Sequence, residues 1–369
     1  MGLARPPGAA GWKPVRAGQW LACLVVVTAC APSEDLPAFT LETDHARVAY
    51  RAPQDRPCAG DLLQIDAQVE FLEDVLGEAR DGPVSIVLLP LDEVMELCGG
   101  AQGCYDGYGE QTLSPWNAVA HELSHAIKPV DTFPSDFWAE GSANALAGGL
   151  SLIDGSRDLE LLDLGSEDLS NYVRTTHFQR YLIATYGLDG YRSLLQGGFD
   201  PSASLGISVE ELIAQYNRDA PFAYARFSAC TDPEILPVRE GVWEANSTFS
   251  CESEHATQYE RRDFSGAFSS TVGAAVHRTI ELGEGTYEFR LDGGLSFTLE
   301  GCLLDSLDDE PSDVRLGGDV FNEVERAIAT PFAAGETHRV RLTEGLFRVG
   351  LSSGTEEEQE LRLTVAQVD

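Results

Sequence analysis

The sequence predicts an α+β protein in which a small sheet with helices is followed by an all-β sandwich. In residues 39–230, segments with helical spacing surround one short buried strand pattern. In residues 240–369, alternating segments such as "GTYEFRLDG" and "LFRVGLSSG" are separated by glycine and acidic turns, which is typical of a sandwich. The pattern changes past Cys230, so we expect the domain boundary near residues 231–240.

The beginning of the chain has the pattern of an export signal. Three basic residues precede "WLACLVVVTA", an apolar stretch of ten that is too short to span a bilayer, and small residues lead up to Cys30. This order resembles the lipobox of bacterial lipoproteins. The resemblance implies a signal peptide at residues 1–29, an acylated Cys30 and a tether at residues 30–38. The alternative is an ordinary secretory signal with an incidental cysteine. Ala31 stands where enteric lipoproteins retained at the inner membrane carry Asp, which favours the outer membrane.

The next elements follow from the periodicity of the apolar residues. "FTLETDHARVAYRA" alternates like a strand, and "DLLQIDAQVEFLEDVLGEAR" has helical spacing. "PVSIVLLPL" indicates a buried strand and "YDGYGEQTLS" an edge strand. Such an edge could bind an extended peptide as an added strand, although a loop braced by a disulfide is an equally good interpretation. The segment around "HELSH" is predicted to be a helix that stops before Pro129.

Residues 136–228 are predicted to be mainly helical. "SEDLSNYVRTTHFQRYLIATYG" ends at Gly187, which fits the position just past a helix C-terminus. "SVEE" at residues 208–211 matches a capping box that opens the helix "VEELIAQYN".

The charge of the chain limits its partners. It carries 60 acidic and 25 basic residues, a formal net charge of −35. This negative charge repels phosphate groups, so we expect no nucleic-acid partner and no electrostatic docking on anionic lipid. No apolar run after the signal is long enough for a membrane helix, so the lipid on Cys30 is the expected membrane attachment.

Eight cysteines are present, and six of them follow the predicted signal and anchor. An even number in an exported protein predicts disulfides, with about fifteen possible pairings. Cys98 and Cys104 flank "GGAQG", a short flexible loop that closes easily, so this pair is the first choice. The remaining pairs are then expected to be Cys251–Cys302 and Cys58–Cys230.

The stretch "WNAVAHELSHAIKPV" is the strongest chemical signal in the sequence. On a helix, positions i and i+4 share one face, so His121 and His125 can bind the same metal ion. Glu122 can reach a water bound to that metal and take its proton as a general base. The alternative is an amphipathic helix that happens to contain histidine.

A catalytic zinc site also needs a third protein ligand and an open position. Glu140 in "FWAEGSANALAGG" is the expected ligand, because the small residues that follow it allow a second helix to approach the first. Asn144 lies one turn later, where it could hydrogen-bond a ligand. Asp131 and Asp136 are the alternatives. If Asp131 were the third ligand, the chain would have to turn sharply at Lys128, where the related zinc motif has glycine. Asp131 is therefore a poor candidate for the third ligand.

Four segments in this order resemble the peptidase MA-like gluzincins: "AHELSHAI", "FPSDFWAEGSANALAG", "THFQRYLIATYGLDGYRSLL" and "GISVEELIAQYN". These are zinc metallopeptidases with HExxH and a downstream Glu in a W-x-E-G-x-A context. The resemblance covers about residues 60–228. It implies His121, His125 and Glu140 as ligands of one Zn²⁺ per chain, Glu122 as general base, and a peptide or protein substrate. The gap of fourteen residues between the second histidine and the downstream Glu is short for this pattern.

Peptide hydrolysis also needs a hydrogen-bond donor for the oxyanion. In gluzincins this is a Tyr or His on a later helix, and the candidates are Tyr172, His177, Tyr181 and Tyr186. We choose His177 because it precedes the aromatic face "FQRYL", although a histidine without catalytic role would also fit. Tyr181 and Tyr186 are expected to be packing residues.

The C-terminal segments "GEGTYEFRL" and "AGETHRVRLTEGLFRVGL" resemble the prepeptidase C-terminal-like sandwiches of exported bacterial enzymes. The sequence therefore predicts an exported, lipid-anchored zinc peptidase. Two alternatives stay open. One is a non-catalytic surface protein that uses this fold as a scaffold for partner binding, and the other is a zinc hydrolase of a non-peptide surface polymer. The sequence defines neither the substrate nor the oligomeric state.

Overall fold

The structure is a computed structural model. It describes residues 36–51, 56–106, 110–148, 151–152, 158–161, 163–165, 172–221, 223–224, 227–228, 238–239, 242–257, 275–294, 296–302, 332–342, 344–352 and 360–368. These residues belong to one compact unit that begins at Leu36. The predicted signal peptide, Cys30 and most of the tether lie outside the described residues. None of the helices in these ranges is long and apolar enough to cross a membrane.

The first elements form a five-stranded mixed sheet between helices. In chain order they are β1 (Leu41–Glu42), β2 (Ala46–Tyr50), α1 (Ala59–Leu76), β3 (Val84–Leu88), α2 (Leu91–Leu97), β4 (Cys104–Asp106) and β5 (Gln111–Ser114). The strand order is β1-β2-β3-β5-β4, with β2, β3 and β5 parallel and with antiparallel edges at β1 and β4. All five residues of the central strand β3 are buried, because α1 packs on one face of the sheet and α2 on the other.

The segment "YDGYGEQTLS" does not form the single edge strand that the sequence predicted. It is divided between β4, which is the edge, and β5, which lies inside the sheet. Glu110 has a left-handed backbone with φ of 49°, and the chain turns back there into β5. Residues 107–109 lie outside the described residues.

Helices and one short pair of antiparallel strands complete this part of the chain. They are α3 (Val119–Ile127), α4 (Asp136–Leu146), β6 (Ser151–Leu152), α5 (Tyr172–Gln196), α6 (Pro201–Ser204), α7 (Val209–Asp219) and β7 (Ala223–Tyr224), which pairs with β6. α5 is broken at Gly187, with φ of 70° and ψ of 175°, where the sequence predicted a helix end. One half of the predicted capping box of α7 is confirmed, because Ser208 Oγ accepts the N–H of Glu211 at 3.2 Å.

The remaining strands form a β-sandwich. They are β8 (Phe227–Ser228), β9 (Val238–Arg239), β10 (Val242–Thr248), β11 (Ala256–Thr257), β12 (Ala275–Leu282), β13 (Gly285–Asp292), β14 (Ser296–Cys302), β15 (Phe332–Ala333), β16 (Thr337–Leu342), β17 (Gly345–Ser352) and β18 (Glu360–Gln367). One sheet has the order β16-β13-β18-β10-β9 and the other β11-β12-β17-β14-β15, with β8 parallel to β14. Alternate residues of both sheets meet in one apolar core. The predicted α+β class, with several sheets, is therefore confirmed.

Two disulfides are described, and only one has the expected partners. Cys98–Cys104 is confirmed. The other is Cys58–Cys251, so the predicted pairs Cys58–Cys230 and Cys251–Cys302 were wrong. Cys302 is also disulfide-bonded.

The observed pairing follows from the way the sandwich meets α1. The N–H of Ala59 donates to the carbonyl of Cys251 at 2.9 Å. A β-carbon on Gly60 would lie 2.7 Å from the carbonyl oxygen of Glu254, so the two backbones touch. This contact joins elements far apart in the sequence, and loop spacing alone does not reveal it.

Candidate metal centre

The HELSH residues lie on α3, which is held at both ends. The helix follows β5 directly, through Pro115 and a single 3-10 turn. It ends at Ile127, which agrees with the predicted stop before Pro129. Near that end the guanidinium of Arg80 donates to the carbonyl of Ala126. The sheet therefore sets where the helix starts, and α3 can hold its polar side chains in fixed positions.

α4 brings Glu140 to the same place by close packing. A β-carbon on Gly141 would lie 3.0 Å from Cγ of Gln179 and 3.1 Å from Cβ of Thr175, both on α5. The absence of a side chain at this position lets α4 approach α5 closely. The sequence analysis expected the small residues after Glu140 to allow a close approach to α3, but Gly141 makes its close approach to α5.

Three side chains converge between α3 and α4. The Nε2 atoms of His121 and His125 are 3.1 Å apart. Oε2 of Glu140 is 3.1 Å from Nε2 of His121, and its Oε1 is 3.6 Å from Nε2 of His125. Both histidines are 6% exposed, so water competes little for them.

This triangle fits a metal ion. Zinc bonds to nitrogen and oxygen of about 2.0–2.2 Å place neighbouring ligands of a tetrahedral site about 3.3–3.6 Å apart. The nearest separations are 3.1, 3.1 and 3.6 Å, the last two from different oxygens of Glu140, and with one atom per residue the group lies within 4.8 Å. Within the described part of the chain, no other group of three His, Cys, Asp or Glu side chains could hold a metal ion. The alternatives Asp131 and Asp136 are not members of it.

Asn144 orients one of the candidate ligands. Its Oδ1 lies 2.9 Å from Nδ1 of His121, as the sequence analysis expected. An Nδ1–H that donates to this oxygen leaves the Nε2 lone pair of His121 directed at the triangle. The tautomer needed for metal binding is therefore the one that this hydrogen bond favours.

His121 and Glu140 shift each other's pKa. Burial alone would lower the pKa of His121, but its hydrogen bond to Glu140 and the nearby Glu122 carboxylate outweigh burial and raise it. Burial favours a raised pKa for Glu140, yet its hydrogen bonds to His121 and His125 hold that pKa well below the usual range. Glu140 is therefore a carboxylate at neutral pH, which is the form that binds a cation.

Glu122 lies beside the triangle and not in it. Its Oε1 is 4.0 Å from Nε2 of His121, whereas Oε2 of Glu140 is 3.1 Å from the same nitrogen. Burial raises the pKa of Glu122, and the two histidines partly offset this. A buried carboxylate next to a cation site has the position that a general base requires.

Among the four candidate oxyanion donors, Tyr172 is the one that reaches the centre. It opens α5, is half-buried, and its phenol lies close enough to Glu140 for that carboxylate to act on its pKa. Burial, with the carboxylate of Glu140 next, raises the pKa of Tyr172. The phenol therefore stays protonated and remains a donor.

The structure places His177, the first choice of the sequence analysis, on another face of α5. Thr175 and Gln179 face Gly141 of α4, and a residue two positions away on a helix points about 200° away from each. His177 is fully buried, with Nδ1 3.0 Å from the hydroxyl of Tyr216 and its ring 4.9 Å from that of Tyr224.

Tyr181 and Tyr186 have the packing positions expected of them. Tyr181 is buried with its ring 5.4 Å from that of Tyr216. The hydroxyl of Tyr186 donates to Oε1 of Gln215 at 2.9 Å. Whether Tyr172 lies near the centre depends on which face of α5 meets α4. Gly141 was the sequence signal that could have indicated this packing, because a small residue allows a close approach of two helices.

The sequence was compared with models of known protein families and with curated proteins, and neither comparison found a match. The fold and the site therefore define the molecule as an α+β protein with a buried His–His–Glu group that could hold a metal ion.

Proposed function

We propose that this protein is a zinc-dependent peptidase of the gluzincin type. The observation that carries the proposal is the convergence of His121, His125 and Glu140, whose ligand atoms all lie within 4.8 Å of one another. Two histidines and a glutamate, with one position left open, are the ligand set of several catalytic zinc sites. The order of the sequence segments that resemble the gluzincins supports the same assignment.

The residues around the centre would share the chemistry of hydrolysis. A bound Zn²⁺ would polarise the scissile carbonyl and lower the pKa of a water to about 7. Glu122 would take a proton from the attacking water at its carboxylate and pass it to the leaving amine. The phenol of Tyr172 would donate to the oxyanion that develops on the carbonyl oxygen. Asn144 would hold the ring of His121 in its metal-binding tautomer.

We also propose that the protein is an exported lipoprotein anchored through Cys30. The order of basic, apolar and small residues before Cys30 supports this. The described disulfides add to it, because such bonds persist in oxidising compartments such as the bacterial periplasm.

The first experiment is to measure metal content by mass spectrometry on the soluble chain that starts after Cys30. We expect one zinc per chain in the wild type and none in His121→Ala or Glu140→Ala. His45 and Glu70 form a partly exposed pair outside the metal centre, with Nε2 and Oε1 2.9 Å apart, so His45→Ala and Glu70→Ala are matched controls that should keep zinc.

The outcomes separate the alternatives. Loss of zinc with His121→Ala but not with Glu140→Ala would remove Glu140 from the ligand set. No zinc in the wild type after reconstitution would make the centre an ordinary buried polar group, and the scaffold interpretation would replace the enzyme. Glu122→Gln should keep zinc and abolish cleavage of a peptide library, whereas retained cleavage would rule Glu122 out as the base.

A further inference from the structure

We infer that Gly103, in the loop closed by the Cys98–Cys104 disulfide, is a positioning residue that fixes the carboxylate of Glu122. The inference rests on the proposed function, because it assumes that Glu122 is the general base. The loop runs from the end of α2 to the start of β4, the edge of the first sheet. It crosses α3 at the position of Glu122.

Gly103 lies directly against this side chain. A β-carbon at position 103 would be 2.6 Å from Cδ and 2.7 Å from Cγ of Glu122 and would also overlap Oε1. These separations are far below the van der Waals contact distance of about 3.5–4.0 Å between carbon atoms. Gly103 does not have a positive φ, so the position requires space and not a special backbone conformation.

The backbone at position 103 is fixed from both sides. Cys104, the next residue, is bonded to Cys98 and pairs with Leu113 in the β4–β5 ladder. Cys98 ends α2, where its N–H donates to the carbonyl of Val94 at 2.8 Å. The backbone of Glu122 is equally fixed inside α3. The end of the Glu122 side chain is therefore the part that would move if position 103 gained a methyl group.

The carboxylate is thus confined between two rigid boundaries. On one side is the Gly103 backbone, and on the other is the ligand triangle, with Oε1 4.0 Å from Nε2 of His121. A general base must lie within hydrogen-bond reach of the proton that it accepts. A displacement of about 1 Å can lower turnover about 100-fold. The disulfide-closed loop therefore sets the position from which Glu122 can act.

The test compares Gly103→Ala with Gly82→Ala, because a β-carbon on Gly82 meets nothing within 4 Å and its φ is not positive. Measurements are zinc per chain, kcat and KM on fluorescently labelled casein, and a crystal structure of each variant. For Gly103→Ala we expect one zinc per chain, kcat lowered by about 100-fold, KM within about twofold, and a rotated Glu122 side chain. Gly82→Ala should match the wild type.

Several results would overturn the inference. An unchanged Glu122 side chain in the Gly103→Ala crystal structure would show that the loop does not position it. Full kcat in that variant would have the same meaning. Loss of zinc would show that position 103 acts on the ligands. A wild type that binds zinc but does not cleave casein would count against the proposed peptidase function. The position of the Glu122 side chain in the crystal structure of Gly103→Ala would then still test whether the loop positions it.

A second variant tests the disulfide itself. Cys98→Ser/Cys104→Ser keeps Gly103 but removes the bond that fixes the backbone beside it. We expect zinc to be retained and kcat to fall by about tenfold, because the loop end gains freedom to shift. Wild-type kcat in this double variant would show that the strand pairing of β4 alone fixes the loop.

Discussion

At the level of single residues, one hydrogen bond decides which nitrogen of His121 faces a cation. Asn144 holds Nδ1 at 2.9 Å, so the electron pair of Nε2 points between α3 and α4. In the part of the chain that the structure describes, His125 is held by its place on α3 and by its contacts with His121 and Glu140. The two candidate histidine ligands are therefore oriented by different means, and their dependence on neighbouring residues should differ.

We predict that Asn144→Ala lowers zinc affinity by about 10- to 100-fold, because partners that orient a metal-binding histidine typically contribute this much. Competition against a chelator would measure the affinity. Asn246→Ala is a suitable control, since Asn246 is exposed on β10 of the sandwich. Equal affinities in the two variants would remove Asn144 from the metal centre.

We predict that Tyr172→Phe lowers kcat by about 100- to 1,000-fold with zinc content unchanged, since the variant loses one donor to the oxyanion. Steady-state kinetics on a cleaved peptide would measure it. Tyr186→Phe on the same helix is the control, because the Tyr186 hydroxyl bonds Gln215 instead. A similar kcat for both variants would exclude Tyr172 as the donor.

For His177→Ala we predict a loss of stability without a loss of activity. Its imidazole packs among Tyr216 and Tyr224 and is fully buried, so its loss should lower the free energy of unfolding by about 2–4 kcal/mol and leave kcat unchanged. Chemical denaturation and kinetics on the same preparation would separate the two effects. A large fall in kcat without a loss of stability would restore His177 as the catalytic donor.

At the level of elements, the close packing of α4 on α5 positions both Glu140 and Tyr172. Spacing along α3 predicted the two histidines, and the small residues after Glu140 predicted a second helix nearby. The choice between His177 and Tyr172 could not be made from the sequence, because both lie on one predicted helix and the rotation of that helix is set by packing. The division of "YDGYGEQTLS" into β4 and β5 was missed for a similar reason, since a local turn overrides an alternating pattern.

We predict that Gly141→Ala destabilises the fold by about 1–3 kcal/mol and also weakens zinc binding, because the new methyl group would push α4 away from Thr175 and Gln179. Thermal unfolding and chelator competition would measure the two effects. Gly165→Ala is the control, since a β-carbon there has no atom within 4 Å. Unchanged stability in Gly141→Ala would show that α4 and α5 tolerate separation.

At the level of the whole molecule, the Cys58–Cys251 disulfide joins the start of α1 to the sandwich across 193 residues. The Cys98–Cys104 disulfide spans only six. Closing a longer loop removes more entropy from the unfolded chain. The sequence could not reveal this difference, because it required knowing that the sandwich meets the N-terminus of α1.

We predict that Cys58→Ser/Cys251→Ser lowers the free energy of unfolding by about 5 kcal/mol, against about 2 kcal/mol for Cys98→Ser/Cys104→Ser. Urea denaturation of the two double variants would compare them directly. The larger loss should accompany the longer loop, and the reverse order would show that local contacts of the disulfides outweigh loop length.

The Cys58–Cys251 disulfide also affects how proteolytic cleavage of the chain would appear on a gel. A single cut anywhere between Cys58 and Cys251 would leave two fragments covalently joined. For a peptidase that cleaves its own copies, such nicked molecules would migrate as intact protein on a gel run without reductant. Inactive preparations could then be mistaken for poor folding, so the two gel conditions should be run side by side before any variant is judged inactive.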